Sequence, residues 1–146
     1  MAREGGTELK IRAYRESDQD DVVALWRECG LVVPWNDPVK DICRKLGIQR
    51  QLFLVGTLHS ELVATVMAGY EGHRGWVNYL AVATEYRKRG FARCLLGEAE
   101  ELLRDMGCPK INLQVRSSNV DVVEFYRGIG YSVDDVVSMG KRLEQD

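Results

Sequence analysis

The sequence predicts an α/β (α+β) domain: a mixed, mostly antiparallel sheet of six to seven strands with a central parallel pair, flanked by about four helices. Three observations predict it. Three alternating apolar runs joined by short turns, Leu52–Leu58, Glu61–Tyr70 and Trp76–Ala83, make an antiparallel meander. The last of these feeds a basic turn, a long amphipathic helix and another alternating run. Strand–helix–strand implies a parallel pair with a right-handed crossover. Over 146 residues, 45% apolar and 29% charged content suits one globular domain, read as residues 7–146 after a disordered 1–6.

Each element has its own signal. Glu8–Tyr14 alternates, with Leu9, Ile11 and Ala13 on one face, and reads as the first strand. Ser17, with Asp20 three residues on, has the form of a capping box. It opens a helix whose buried stripe is Val22, Leu25, Trp26 and Cys29, ended by Gly30. Asp37 caps a second helix, Pro38–Leu46, with Pro38 at its first position. His59-Ser60 and Gly72–Gly75 are the turns of the meander. Phe91, Leu95, Ala99, Leu102 and Met106 form one helical stripe, stopped by Gly107. Lys110–Val115 alternates again. Asn119 caps a helix carrying Val122, Val123, Phe125, Tyr126 and Ile129, and Gly130 stops it. Tyr131–Val133 and Val136–Leu143 read as the final strands.

A net charge of −2 argues against general nucleic-acid binding, which needs an overall basic face. No apolar run reaches membrane length, so no membrane partner is expected. Cys29, Cys43, Cys94 and Cys108 form no C-x-x-C pair, so no metal site is expected and the default compartment is a reducing cytoplasm.

The chemistry concentrates after the third run. A strand feeding a glycine-bearing turn that opens a helix is a ready anion site. The first helical N–H groups have no partner inside the helix, and the dipole favours negative charge there. Gly90 lets a phosphate approach the backbone, and Arg87, Lys88, Arg89 and Arg93 crowd positive charge around it. A solvated basic turn would explain the charges alone; Gly90 and the switch from strand to helix point to a phosphate ligand. Neither the nucleotide P-loop spacing nor the three-glycine dinucleotide fingerprint is present. What stands here is Arg87-Lys88-Arg89-Gly90-Phe91-Ala92, and downstream Asn119, Phe125-Tyr126 and Gly130-Tyr131. Asn119 and Tyr126 are about two helical turns apart, on one face.

These two motifs resemble the two halves of the GNAT signature, the superfamily of acetyl-CoA-dependent N-acetyltransferases. The order of strands and helices from Glu8 to Leu143 is similar to the family's as well. LVVPWNDP, AGYEGHRG and CPKINLQV resemble the bacterial YpeA-like acetyltransferases in particular. The resemblance implies a GNAT fold with acetyl-CoA as donor. Main-chain groups of Leu80, Ala81 and Val82 would pair with the pantetheine arm, and the strand beginning near Lys110 would splay away. Arg87, Lys88, Arg89, Gly90, Phe91 and Ala92 would hold the pyrophosphate. Asn119 would bind the pantetheine side, and Tyr126 would protonate the leaving thiolate. Free tyrosine near pKa 10 and a thiol near 8.5 make that transfer uphill by roughly 2 kcal/mol.

The acceptor side is less defined. Binding residues concentrate on loops held by a scaffold, which makes Trp35 and Asn36 acceptor candidates; Trp35 could equally fold back over the core. Glu71, with His73, could relay a proton through water. A lysine-like amine costs about 4 to 5 kcal/mol to deprotonate at pH 7, and an α-amine about 1. Gln114 stands where ribosomal-protein N-terminal acetyltransferases carry glutamate, and Trp76 where histone-type members do. The expected activity is acetyl transfer to a primary amine of a small molecule or exposed N-terminus, by a monomer or homodimer. A protein N-terminal acetyltransferase and a non-catalytic acyl-CoA-binding module are the alternatives.

Overall fold

The computed structural model describes residues 8–146; the expected disorder of 1–6 lies outside the described residues. Alternation produces five strands: β1 (Lys10–Ala13), β2 (Phe53–Leu58), β3 (Glu61–Tyr70), β4 (Gly75–Val82) and β5 (Ile111–Leu113). They form one sheet in the order β1-β2-β3-β4-β5, antiparallel except for the parallel pair β4–β5. His59 and Ser60 close the β2–β3 hairpin with φ of 51 and 67°, the left-handed pair that matches strand twist in a two-residue turn.

The expectation of six to seven strands is corrected to five among the described residues. Tyr131–Val133 and Val136–Leu143 form no strand. Val133, Val136, Val137, Met139 and Leu143 are 68–90% exposed, and β5 offers only a three-residue edge. Neither burial nor a long ladder draws the segment in.

Among the described residues the helices number four, as expected: α1 (Gln19–Glu28), α2 (Pro38–Leu46), α3 (Phe91–Asp105) and α4 (Val120–Gly128). Asp37 caps α2, its carboxylate accepting from the Val39 amide at 2.9 Å. The start of α1 differs from the expected Ser17 box. Asp18 organises it, accepting from the Arg15 amide at 2.8 Å and from two Arg12 nitrogens at 2.8 and 2.9 Å. No side chain caps the first amides of α1; Asp18, buried while Ser17 faces water, instead closes the turn that leads into the helix. Arg12's hydrogen bonds hold the Asp18 carboxyl below its usual range. Its stabilisation is therefore present above about pH 4 and lost as pH falls through the depressed folded value. Asp18→Asn should flatten the acid limb of urea midpoints measured against pH; an unchanged limb contradicts this reading.

Trp26, on α1, packs against Phe53, whereas Leu95, on α3, reaches Gly56 three residues along the same strand. Alternation then puts α1 and α3 on opposite faces of the sheet. The buried face of α3 is Phe91, Leu95, Leu96, Ala99 and Leu103, with Met106 left 39% exposed. The helix contacts β2, β3 and β4, so its buried face is broader than the single stripe in the sequence. At Gly75 the sheet permits no side chain: a Cβ there would come 2.8 Å from Cys108 Sγ. Among the described residues, no helix is long and apolar enough to cross a membrane.

Candidate active site

β4 is bonded on both sides at its start and on one side at its end. It pairs with β5 only over Gly75–Val77, against Ile111–Leu113, and the two strands part beyond that point. Toward β3 it carries a bulge. Asn78 pairs with Met67 and Ala81 with Thr65, which leaves Tyr79 and Leu80 against Val66 alone. Tyr79 takes φ of 53° there. Trp26 holds the bulge: its ring stacks on Tyr79 at 3.7 Å, its Nε1–H donates to Thr65 Oγ1 at 2.9 Å, and the Thr65 hydroxyl donates to the Tyr79 carbonyl at 2.8 Å. Past the bulge, the Ala83 N–H donates to Val63 O at 2.8 Å. By alternation Ala81 also faces β3, and the main-chain groups of Leu80 and Val82 face the open edge.

The turn after β4 carries the expected cations, differently disposed. Gly90 sits at φ 83° as the residue before α3, and no side chain caps the first amides of that helix. Phe91 is buried and Ala92 half-buried, which anchors the helix start. Arg89 lies over the Tyr86 ring at 5.3 Å, and Lys88 and Arg93 face water. Arg87 turns back instead, donating to Val82 O at 3.1 Å and approaching Cys29 Sγ at 3.4 Å. It braces the end of β4 against α1.

Asn119 stands before α4 with its side chain exposed and making no capping bond. Two turns on, Tyr126 is half-buried, edge-on to Phe125 at 5.2 Å and Tyr131 at 5.5 Å. Burial pushes its phenol up to about 12. Tyr131 is tied to α3 by its hydroxyl, which donates to Glu100 at 2.7 Å.

On the α2 side, Asn36 donates to the Asp41 carboxylate and, at 3.2 Å, to the Tyr79 hydroxyl. The Tyr79 hydroxyl donates to Asp41 Oδ2 at 2.6 Å. Tyr79 and Asp41 escape a reading of sequence alone: 38 positions separate them, and only the bulge turns Tyr79 toward α2. Trp35 is 58% exposed and does not fold over the core. Glu71 is not brought to this group. Its carboxylate accepts from the amides of Arg74 and His73, whose hydrogen bonds hold it below its usual range and make it a weak base. It also lies at the far end of β4 from Leu80, about 15 Å away at ~3.3 Å per residue.

Residues 7–131 match the family described as the Acetyltransferase (GNAT) family. The chain belongs to that family. GNAT enzymes take their acetyl group from acetyl-CoA, and this chain is an acetyl-CoA-dependent N-acetyltransferase. Solved structures share the fold at low identity. An aminoglycoside acetyltransferase from an uncultured soil metagenomic sample, in complex with trehalose, is 19% identical, covering 93% of this chain and 97% of its own, with TM-score 0.72. The aminoglycoside N-acetyltransferase AAC(6')-Iy, in complex with CoA, is 14% identical over 98% and 99%, with TM-score 0.73. The glucosamine-6-phosphate N-acetyltransferase of Arabidopsis thaliana is 20% identical over 94% and 99%, with TM-score 0.68.

The residues present fit a GNAT donor. A Cβ built on Gly90 would meet nothing within 4 Å, so the space before the uncapped α3 amides is free for a phosphate. Gly90→Ala separates the two uses of that glycine. No protein atom is struck, so the fold loses only about 1 kcal/mol of backbone strain. The Cβ would enter the phosphate space, and the Kd for CoA should rise about tenfold or more. Calorimetry with CoA, and with pantetheine as the control lacking a pyrophosphate, reads the difference. Equal weakening of both would contradict a phosphate cradle at Gly90.

Proposed function

We propose that this chain transfers the acetyl group of acetyl-CoA to a primary amine of a small molecule or an exposed N-terminus. The carrying observation is the parting of β4 from β5 beside the uncapped start of α3. Transfer to amines is supported by the structural neighbours, a glucosamine-6-phosphate N-acetyltransferase and two aminoglycoside acetyltransferases. The YpeA-like subgroup rests on the three sequence stretches that resemble it. We place the chain in the cytoplasm as one domain over 7–146, a monomer or homodimer.

When bound, acetyl-CoA supplies an activated acetyl thioester. The chain's residues divide the remaining work. The open-edge groups of Leu80 and the Val82 N–H would hold the pantetheine arm, while Ala81 keeps β4 on β3 and Arg87 occupies the Val82 carbonyl. The Leu80 N–H, facing the open edge, would donate to the carbonyl oxygen as charge builds on it. The amides from Gly90 to Ala92, with Lys88, Arg89 and Arg93, would take the pyrophosphate; Arg87 steadies the strand that leads there. Asn119 would line the pantetheine side. Tyr126 would donate its proton to the leaving sulfur. With its phenol near 12 against a thiol near 8.5, the transfer is uphill by about 5 kcal/mol. The phenol therefore keeps its proton until negative charge is confined beside it.

Nothing favours the protein N-terminal acetyltransferase in particular. Gln114, where that branch carries glutamate, is an amide bonded to the Ser138 hydroxyl. A panel of amines and peptide N-termini, read by release of free CoA thiol, tests the proposal. Thiol release no faster with any amine than without, from protein that binds acetyl-CoA, would refute it.

A further inference from the structure

Most of Ser132–Asp146 stands in water, yet its last side chain does not. The Asp146 side chain is 3% exposed. Its carboxylate accepts from Arg44 Nη2 at 2.7 Å and Nη1 at 3.4 Å, and from the Asp37 amide at 2.9 Å. Arg142, from the same segment, stands 3.7 Å away and also donates to Asn36 at 3.2 Å. A guanidinium fork plus a main-chain amide is the donor set for a planar carboxylate. Arg44's hydrogen bonds pull the Asp146 carboxyl down to about 2. Glu144 shows what an ordinary surface pair with the same arginine looks like: 4.0 Å away and 82% exposed.

The site is also connected to the bulge. Arg44 donates to Asp41 Oδ1 at 3.2 Å, and Asp41 Oδ2 takes the Tyr79 hydroxyl at 2.6 Å. Tyr79 is the residue before Leu80 on β4. A carboxylate in the site thus lies one arginine from Asp41, whose oxygens take Arg44, Asn36 and the Tyr79 hydroxyl, and is joined through them to the strand that carries Leu80.

We propose that Arg44 and the Asp37 amide form a carboxylate subsite of the acceptor pocket, held here by the chain's own Asp146, and that the acceptor is an amine that also carries a carboxylate, of the amino-acid class. This rests on the amine-acetylation reading above. It makes Asp146 an intramolecular competitor that the acceptor must displace.

The test uses matched amines with and without the carboxylate: L-phenylalanine and phenethylamine, L-lysine and cadaverine. Asp146→Asn should lower KM for both amino acids several-fold and leave the decarboxylated partners unchanged. Arg44→Gln should raise KM for the amino acids by about 10- to 100-fold, the worth of a charge-assisted pair, again sparing the partners. An independent readout needs no turnover. In the Asp146→Asn protein the Asp37 amide resonance should shift saturably with L-phenylalanine and stay still with phenethylamine. If Arg44→Gln melts early, this titration decides. Equal KM responses within each pair, with the Asp37 amide unmoved, would reduce Asp146 to a surface latch and overturn the subsite. No thiol release with any amine, but a saturating Asp37 shift, would keep the subsite and sink the acetyl-transfer reading instead.

Discussion

Tyr126→Phe should lower kcat by about 10²- to 10³-fold and leave the affinity for acetyl-CoA within about twofold, the pattern of a lost general acid. The ring keeps its edge-on contacts with Phe125 and Tyr131, so packing survives the change. What goes is one proton donor at the leaving sulfur. Stopped-time thiol assays give kcat, calorimetry gives affinity, and a melting curve confirms the fold. A fall in kcat of less than about threefold would remove Tyr126 from the chemistry. The pH profile adds a check. A phenol pushed up to about 12 stays protonated through the working range, so an alkaline fall in rate well below that pH belongs to another group.

Trp26→Ala should cost about 3 to 5 kcal/mol, the loss expected when a fully buried indole is truncated. The side chain is 0% exposed and stacks on Phe53 as well as Tyr79. Its loss would also leave the Thr65 hydroxyl without one partner in the core. Urea unfolding reads the cost; a change under about 1 kcal/mol would mean that the site had collapsed without strain. Trp26→Phe is the finer probe. It retains the stack and deletes only the Nε1–H bond to Thr65, so kcat should fall more than stability if the bulge positions Leu80.

What the sequence disclosed follows from range. The Asp37-Pro38 start of α2, the His59-Ser60 hairpin and the Gly90 opening of α3 are local devices, each complete within a few residues. Tertiary context decided the rest. The alternation of Val136–Leu143 describes a strand that has only a three-residue edge to join, and the chain leaves it unpaired. The bulge at Tyr79 and Leu80 has no glycine to announce it. Arg87 counts as one more cation in the turn until its bond to Val82 O shows it facing inward. The Asp37–Arg44–Asp146 contact joins positions over 100 apart, which no spacing rule connects. Ser17 and Asp18 differ by one residue, and burial chose between them.

The three-rung join of β4 to β5 bears on the chain's history as well as its chemistry. β2, β3 and β4 are linked by short turns and can zip together from near neighbours, whereas β5 must wait for the 15 residues of α3 to coil and dock. The fork between these strands thus closes after the meander of β2, β3 and β4. A nascent or half-melted chain offers the thioester no mouth, so the coenzyme rewards only finished molecules, and its abundance sets how many of them persist on heating.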